Sequence, residues 1–411
     1  MAEEHALAHS VAETVARRSY GKLIAYLAAR TGDVAGAEDA LADAFAEALV
    51  HWPVSGCPEN AEAWLLTVAR RKGLDRARRR QYEDTTDEDL EQAGAALKEG
   101  AEIPDRRLAL LFACAHPALD PAVRAPLMLQ AVMGLDAARI ATAFLASPAA
   151  MSKRLVRAKS KIREAGIPFR LPEREELGER LNAVLAAIYA AYTEGWADAA
   201  GTDAFRQELS GEAIFLARLV AELLPEEPEA LGLCALLLYA EARRGARRDA
   251  AGEFVPFERQ EVTRWDGAMI AEAEGLLGRA GVAGRMGRYQ LEAALQSAHI
   301  ARRRRGWNNW TDVLRLYDAL LALTASPVVA VNRALAVAEV EGAAAGVAAL
   351  PNPEGDERLG TYQPYWAVRA ELLARAGDGD GARHAYEVAI GLERDPAIQR
   401  FLREKQVQVG K

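Results

Sequence analysis

The sequence predicts an all-α protein, and three observations indicate this fold class. The 411 residues are rich in Ala, Leu, Glu and Arg, which are good helix formers. Apolar residues recur at steps of three and four, and alternating β-branched runs are scarce. No stretch of about 18 apolar residues without charge occurs, so we expect no membrane-spanning helix. A chain of this length predicts several domains with ample core.

The cellular compartment is predicted from the N-terminus and the cysteines. The opening "MAEEHALAHS" lacks the basic-then-apolar order of a signal peptide. Cys57, Cys114 and Cys234 lie far apart and match no metal or redox spacing. We therefore expect a cytoplasmic protein with reduced thiols, no bound metal and no cofactor.

The net charge of −8 hides a strong segregation of charge along the chain. Residues 64–80 contain seven basic residues and one acid, and residues 153–170 repeat the same count. Between them lies the acidic stretch "YEDTTDEDLEQAGAALKEGAE". Such blocks create local fields that the sum does not report, so a polyanionic partner is compatible with an acidic protein.

The first segment, residues 1–80, begins with an amphipathic helix. In "AEDALADAFAEALVHW", Leu41, Phe45 and Leu49 recur at steps of four on one face. Acidic residues follow another face, which fits either a solvated helix surface or a docking surface for a basic partner. This acidic stripe consists of Glu38, Asp39, Asp43 and Glu47.

A second helix, "NAEAWLLTVARRKGLDRARRR", completes the first segment. Pro53, Gly56 and Pro58 interrupt the chain before it, and Asn60 is the predicted N-cap. Its apolar side includes Trp64, and its other side is cationic. The next segment, residues 81–103, is acidic with weak periodicity and is predicted to be a linker.

The third segment, residues 104–171, predicts short capped helices. Asp120, Asp136 and Ser147 each stand where an N-cap is expected, and Gly134 is a predicted stop. The last helix, "SPAAMSKRLVRAKSKI", has an apolar face and a basic face. A short helix, a tight turn and a basic second helix are typical of a helix-turn-helix, although an ordinary helix with a basic solvent face has the same pattern.

The fourth segment, residues 172–411, contains internal echoes. "ALGLCALLLYAEARRG", "AVNRALAVAEVEG" and "AVRAELLARAGD" share a helix-then-turn shape, and prolines recur near multiples of 34 residues. This spacing predicts an α-solenoid of tetratricopeptide type, a fold that builds binding surfaces. The residues closest to tetratricopeptide spacing are Trp366, Ala370, Ala382, Tyr386 and Ala389.

No enzyme signature was found along the chain. It contains no nucleophile elbow, no phosphate-binding glycine loop and no zinc-ligand spacing. His116 has no catalytic partner that the sequence identifies. We therefore expect a binding protein rather than an enzyme.

In combination, these motifs resemble a known family. "AEDALADAFAEAL" with "AWLLTVARRKGLDRARRR" resembles region 2 of the extracytoplasmic-function sigma factors of the sigma-70 family. "LDAARIATAFL" through "RLVRAKSKIREAGIPF" looks like their region 4. With "RRLALLFACAHPAL", "AAYTEGW" and "RYQLEAAL", the whole chain is similar to the subgroup with a tetratricopeptide-like C-terminal extension.

The resemblance implies a transcription initiation factor whose partners are bacterial RNA polymerase core and promoter DNA. Region 2 of the family docks on the polymerase clamp and melts the minus-ten element. The acidic linker threads the polymerase channel, and region 4 reads the minus-thirty-five element. The implied polymerase-binding residues are Glu38, Asp39, Asp43 and Glu47. The implied minus-ten contacts are Trp64, Arg70, Arg71, Lys72, Asp75 and Arg78. The implied minus-thirty-five contacts are Ser152, Lys153, Arg154, Arg157 and Lys161.

The extension is expected to modulate activity by binding a regulatory protein or ligand. Two other functions fit the residues. The first is a conventional helix-turn-helix regulator with a tetratricopeptide-like sensor, which binds duplex DNA without polymerase. The second is a tetratricopeptide scaffold that makes no salt-dependent nucleic-acid contact.

Overall fold

A computed structural model of the protein describes residues 2–80, 105–144, 146–196, 204–353 and 357–409. The predicted linker, 81–103, lies outside these ranges. Every regular element in them is helical, apart from an isolated bridge between Arg248 and Phe254, so the predicted all-α class is confirmed. No helix in these ranges has the length and apolar character that crossing a membrane requires.

The chain divides into two compact units. The first contains Met1–Trp196 with Phe205–Ala213, and the second contains Ala197–Ala204 with Ile214–Lys411. The helices of the first unit are α1 (Ala2–Thr31), α2 (Val34–Ser55), α3 (Ala61–Arg80), α4 (Arg107–Cys114), α5 (Pro121–Met133), α6 (Ala137–Ala143), α7 (Pro148–Glu164) and α8 (Arg174–Trp196), and α9 (Ala204–Leu223) belongs to both units.

The second unit continues the helical series after α9. It also contains three short 3₁₀ turns between residues 244 and 264. Its helices are α10 (Pro228–Glu241), α11 (Gly267–Val282), α12 (Arg288–Arg305), α13 (Trp310–Thr324), α14 (Pro327–Glu341), α15 (Ala343–Ala349), α16 (Glu357–Gly360), α17 (Gln363–Ala376), α18 (Gly379–Leu392) and α19 (Pro396–Gln408).

The predicted helix starts are confirmed by hydrogen bonds. Asn60 Oδ1 accepts from the Ala63 N–H at 2.9 Å, and Asp120 Oδ1 accepts from the Ala122 N–H at 2.9 Å. Asp136 Oδ1 accepts from two N–H groups, each at 2.9 Å, and Ser147 Oγ accepts from the Ala150 N–H at 3.2 Å. Each cap satisfies a donor that the helix itself leaves free.

The core of the first unit joins helices that are distant in sequence. The buried side of α2, from Val34 to Trp52, packs against α1 and α3. α1 also packs on α4 and α5, and α7 packs on α2, α5 and α6. Most of the burial in this unit therefore comes from contacts between the first 80 residues and the helices that follow residue 105.

The position of α8 differs from the predicted division between 104–171 and 172–411. α8 packs on α4 and α5 within the first unit, and its Leu181, Val184 and Ile188 are buried. The Arg180 guanidinium donates to the Phe112 carbonyl oxygen at 3.1 Å. The apolar face of α8 thus finds its partners before residue 172 in the chain, so the first unit extends past that residue.

Helices of the second unit pack mainly on their neighbours in sequence. α10 packs on α11 and α12, and successive contacts then join α12 to α13, α13 to α14 and α17 to α18 and α19. The five residues at tetratricopeptide spacing lie in one hydrophobic cluster of α17 and α18, with Trp366 at its edge. Such local order is characteristic of helical arrays in which each layer covers the next.

A buried histidine lies in the second unit, between α12 and the segment before α11. The His299 ring is 5.9 Å from that of Phe257 and 5.8 Å from that of Trp310, edge-on to both. Arg302 stacks over Trp310 with its Cζ 4.2 Å from the ring centroid. Burial, reinforced by Arg302 and Arg243, lowers the pKa of His299 to about 4. His299 is therefore neutral in the folded chain at neutral pH.

This histidine predicts a pH-dependent loss of stability. The unfolded chain takes up a proton near pH 6.5 and the folded chain only near 4, so stability is complete above pH 6.5 and decreases as the pH falls towards 4. Between pH 7.5 and 5 the loss from this group is about 2 kcal/mol. We expect His299→Gln to lose about that much less over this interval than the wild type in urea unfolding followed by circular dichroism. An equal loss in the two proteins would contradict the assignment.

Candidate functional site

The acidic stripe lies on α2, and its four members have different surroundings. Asp33 caps the helix by accepting from the Gly36 N–H at 3.0 Å. Asp39 is exposed and Asp43 is half-buried. Glu38 and Glu47 make strong ion pairs with other helices. The sequence therefore places the four acids together on one helix, but the structure divides them by their partners.

Glu47 connects the acidic stripe to the basic helix α3. Its carboxylate pairs with Arg71 at 2.5 Å and with Lys72 at 2.8 Å. The hydrogen bond from Lys72, helped by Arg71, lowers the pKa of Glu47. A residue predicted to bind polymerase thus contacts two residues predicted to bind minus-ten DNA, so the two predicted surfaces are continuous.

The other predicted minus-ten residues divide into packed and outward side chains. The Trp64 ring packs edge-on against the buried Trp52 at 5.4 Å, which gives it a structural role. Arg70 donates to the Tyr26 hydroxyl, and its Cζ lies 4.9 Å from the centre of that ring. Arg71 is exposed. The side chains of Asp75 and Arg78 lie outside the described residues.

The predicted reading helix, α7, has the two faces that its sequence indicates. Ser147 caps it and Pro148 occupies its first turn. Met151, Leu155 and Ile162 are each at most 1% exposed. All five predicted minus-thirty-five residues are exposed to solvent: Ser152, Lys153, Arg154, Arg157 and Lys161.

The turn before α7 is longer than the two residues, 146 and 147, that the sequence predicts. α6 ends at Ala143. The N–H of Ala146 donates to the Ala141 carbonyl oxygen at 2.9 Å, which closes the C-terminus of α6 with a six-residue bond. Ser147, which precedes a proline, is extended and starts the next helix.

The sequence analysis missed Lys159, which lies on the inner face of α7. Its ammonium pairs with Glu38, and the residue is only 8% exposed. One turn later, Arg163 pairs with Asp33 at 3.5 Å. A signal for this was present, because Lys159 stands four residues after Leu155 and three before Ile162, in register with the apolar face.

The Glu38–Lys159 pair lies in a low-dielectric environment. Burial raises the pKa of Glu38 although Lys159 opposes the shift. The same burial, with the Glu38 carboxylate near, raises the pKa of the Tyr20 hydroxyl and of the Cys114 thiol. In the described part of the chain, Oε1 of Glu38 accepts no hydrogen bond. A charge buried in this way must be paired, since an isolated one is strongly disfavoured.

No group of three or more His, Cys, Asp or Glu side chains within the described ranges is arranged to hold a metal ion. The exposed chemistry of the first unit is instead two cationic helix faces and one acidic one. Such surfaces bind charged macromolecules by charge complementarity.

Comparison with known proteins identifies the class of this surface. Residues 15–82 match Sigma-70 region 2, so α1–α3 carry a sigma-70 region 2 domain. This match supports a sigma-70 family factor with a role in transcription initiation and an interaction with RNA polymerase core. Residues 180–281 match a family described as a family of unknown function, DUF6596.

A full-length relative is also known. The chain is 39% identical over 375 residues to an uncharacterized protein of Rhizobium meliloti (strain 1021), covering 89% of this chain and 88% of that protein. The chain belongs to the same family as this rhizobial protein. No solved structure matches the chain.

Proposed function

We propose that the protein is a cytoplasmic sigma factor of the extracytoplasmic-function type, which binds RNA polymerase core and directs promoter recognition and melting. The observation that carries the proposal is the sigma-70 region 2 match over α1–α3, followed by a second basic helix whose predicted DNA-facing residues are all exposed. No step of this role requires a cofactor or a catalytic residue of the chain.

The acidic stripe of α2 is the proposed polymerase-binding surface. Asp39 and Asp43 present carboxylates to solvent, whereas Glu38 and Glu47 are engaged in ion pairs within the chain. A basic surface on the polymerase clamp would complement the exposed pair. In α3, the exposed Arg71 and the neighbouring Lys72 would contact the phosphates of the minus-ten element.

The α6–turn–α7 arrangement is the proposed helix-turn-helix. α7 would enter the major groove of the minus-thirty-five element. Ser152 and Lys153, near its N-terminus, would lie closest to base edges, and Arg157 and Lys161 would contact phosphates. The cap at Ser147 supports this because it keeps the first turn of α7 helical, so that those residues have defined directions.

The C-terminal helices are the proposed regulatory extension, a tetratricopeptide-like array that binds a regulatory protein or ligand. The sequential packing of α10–α19 and the clustering of residues at tetratricopeptide spacing support this function.

A promoter gel shift with and without polymerase core tests the proposal. We expect a shift of promoter DNA by the chain together with core, and none by the chain alone at moderate salt. Binding by the chain alone would favour the conventional helix-turn-helix regulator instead.

In the same assay, K153A/R157A should weaken promoter binding and reduce the slope of log affinity against log salt by about two, one for each lost phosphate contact. Core binding should not change. The matched control, R279A/R285A, removes two exposed cations of the second unit and should leave the slope unchanged. An unaltered slope in K153A/R157A would remove α7 from the DNA interface.

Charge reversal on α2 tests the polymerase surface. We expect D39K/D43K to lose about a hundredfold or more in affinity for core in a pull-down titration, because like charges that face each other cost several kcal/mol. The control E176K/E179K reverses two exposed acids of α8 and should bind as the wild type does. Wild-type affinity of D39K/D43K would contradict the docking surface.

Removal of the second unit tests the regulatory role of the extension. A chain ending at Ala213 keeps all of the first unit. We expect it to bind core but to differ from the full chain by several-fold in run-off transcription. Equal transcription by the two chains would show that the extension has no effect on initiation.

A further inference from the structure

We propose that the Asp33–Glu38 end of α2 is a docking surface shared by two partners, which occupy it in turn: helix α7 in the free chain, and RNA polymerase during initiation. This inference rests on the proposed function, because it takes Glu38 as part of the polymerase-binding stripe. It adds that the chain covers this part of the stripe with its own DNA-reading helix.

The first observation is the matched pair of ion pairs between the two helices. Lys159 and Arg163 lie one turn apart on α7 and pair with Glu38 and Asp33 of α2. The Lys159–Glu38 pair joins residues 121 positions apart in sequence and is largely buried, with side-chain exposures of 9% and 16%. α7 therefore presents to α2 the kind of surface, cations on a helix, that the acidic stripe is expected to meet on polymerase.

The second observation is the close approach of α1 and α5. A Cβ atom added at Gly21 of α1 would lie 2.3 Å from the carbonyl oxygen of Val132 in α5. Glycine inside a helix costs about 0.5–1 kcal/mol relative to alanine. Only glycine allows α1 and α5 to pack this closely, so the closed arrangement of the first unit is built into both its backbone packing and its charges.

The third observation is the length of a promoter. The minus-ten and minus-thirty-five elements are about 25 base pairs apart, which is ~85 Å along the duplex at 3.4 Å per base pair. Packed helices lie only about 8–10 Å apart. α3 packs on α2 and α2 packs on α7, so the two DNA-binding helices are too close to reach both elements at once.

Promoter binding therefore requires α7 to leave α2. The rearrangement is mechanically simple because α7 also packs on α5 and α6, which can accompany it. When α7 leaves, Glu38 and Asp33 lose their cations, and a basic surface on polymerase can take their place. Binding of polymerase thus releases the reading helix, and the free chain keeps both surfaces covered.

Spin labels on the full chain test the proposal directly. Ala46 of α2 and Val156 of α7 are both exposed and can carry labels as cysteines in a Cys57→Ser background, since Cys114 and Cys234 are buried. We expect a short distance between the labels in the free chain and a longer one when core polymerase is added. Polymerase binding with an unchanged distance overturns the inference and leaves the proposed function standing. Absence of polymerase binding overturns the proposed function itself.

Two variants test the contacts. Lys159→Met removes the buried cation but keeps most of the aliphatic stem, and we expect about tenfold tighter binding to core. Its matched control, Arg170→Met, removes a cation from an exposed pair with Glu173 and should bind as the wild type does. Equal affinity of a folded Lys159→Met and the wild type would overturn the proposal.

If Lys159→Met fails to fold, Gly21→Ala decides. Alanine favours the helix but collides with Val132, so this variant should also bind core more tightly and show a longer label distance without polymerase. The control Gly178→Ala adds a methyl group to α8 where no atom lies within 4 Å. If Gly21→Ala keeps the wild-type distance and affinity, the closed contact does not compete with polymerase.

Discussion

The buried ion pair between Glu38 and Lys159 is the interaction on which the first unit depends. An unpaired charge in this environment is strongly disfavoured, so each residue requires the other. The pair determines how α2 and α7 meet, and the glycine contact of α1 with α5 sets how closely the remaining helices approach. Two segments that the sequence separates by a linker thereby become one compact body, to which α8 also belongs.

Segregation of charge explains how an acidic chain can carry a DNA-binding surface. The net charge is −8, yet the outward faces of α3 and α7 are cationic. Acids on α2 neutralise part of the positive charge within the unit, through Glu47 on α3 and through Glu38 and Asp33 on α7. The same residues can therefore hold the free protein together and bind a basic partner, although they cannot do both at the same moment.

The C-terminal helices follow a different organising principle. Contacts there are local, and aromatic, arginine and histidine side chains stack around α12 and α13. Local contacts let each layer form on its neighbour, which suits a surface that must present a binding face without long-range rearrangement. Burial of a neutral histidine in this packing makes the second unit sensitive to acid, since protonation would place a charge beside Arg302 and Arg243.

Sequence alone determined the helices, their caps and the outward face of α7, because these follow from periodicity and from side-chain-to-backbone bonds within a few residues. Asp136, Ser147 and the exposed Lys153 and Arg157 are examples. The tertiary structure decided which charges meet. Lys159 reads as one more cation in a basic helix, and Glu38 as one more acid in a stripe, until folding across 121 positions buries them together. Such partners cannot be predicted from local pattern, since ion pairing and desolvation depend on distances that only the packed chain defines.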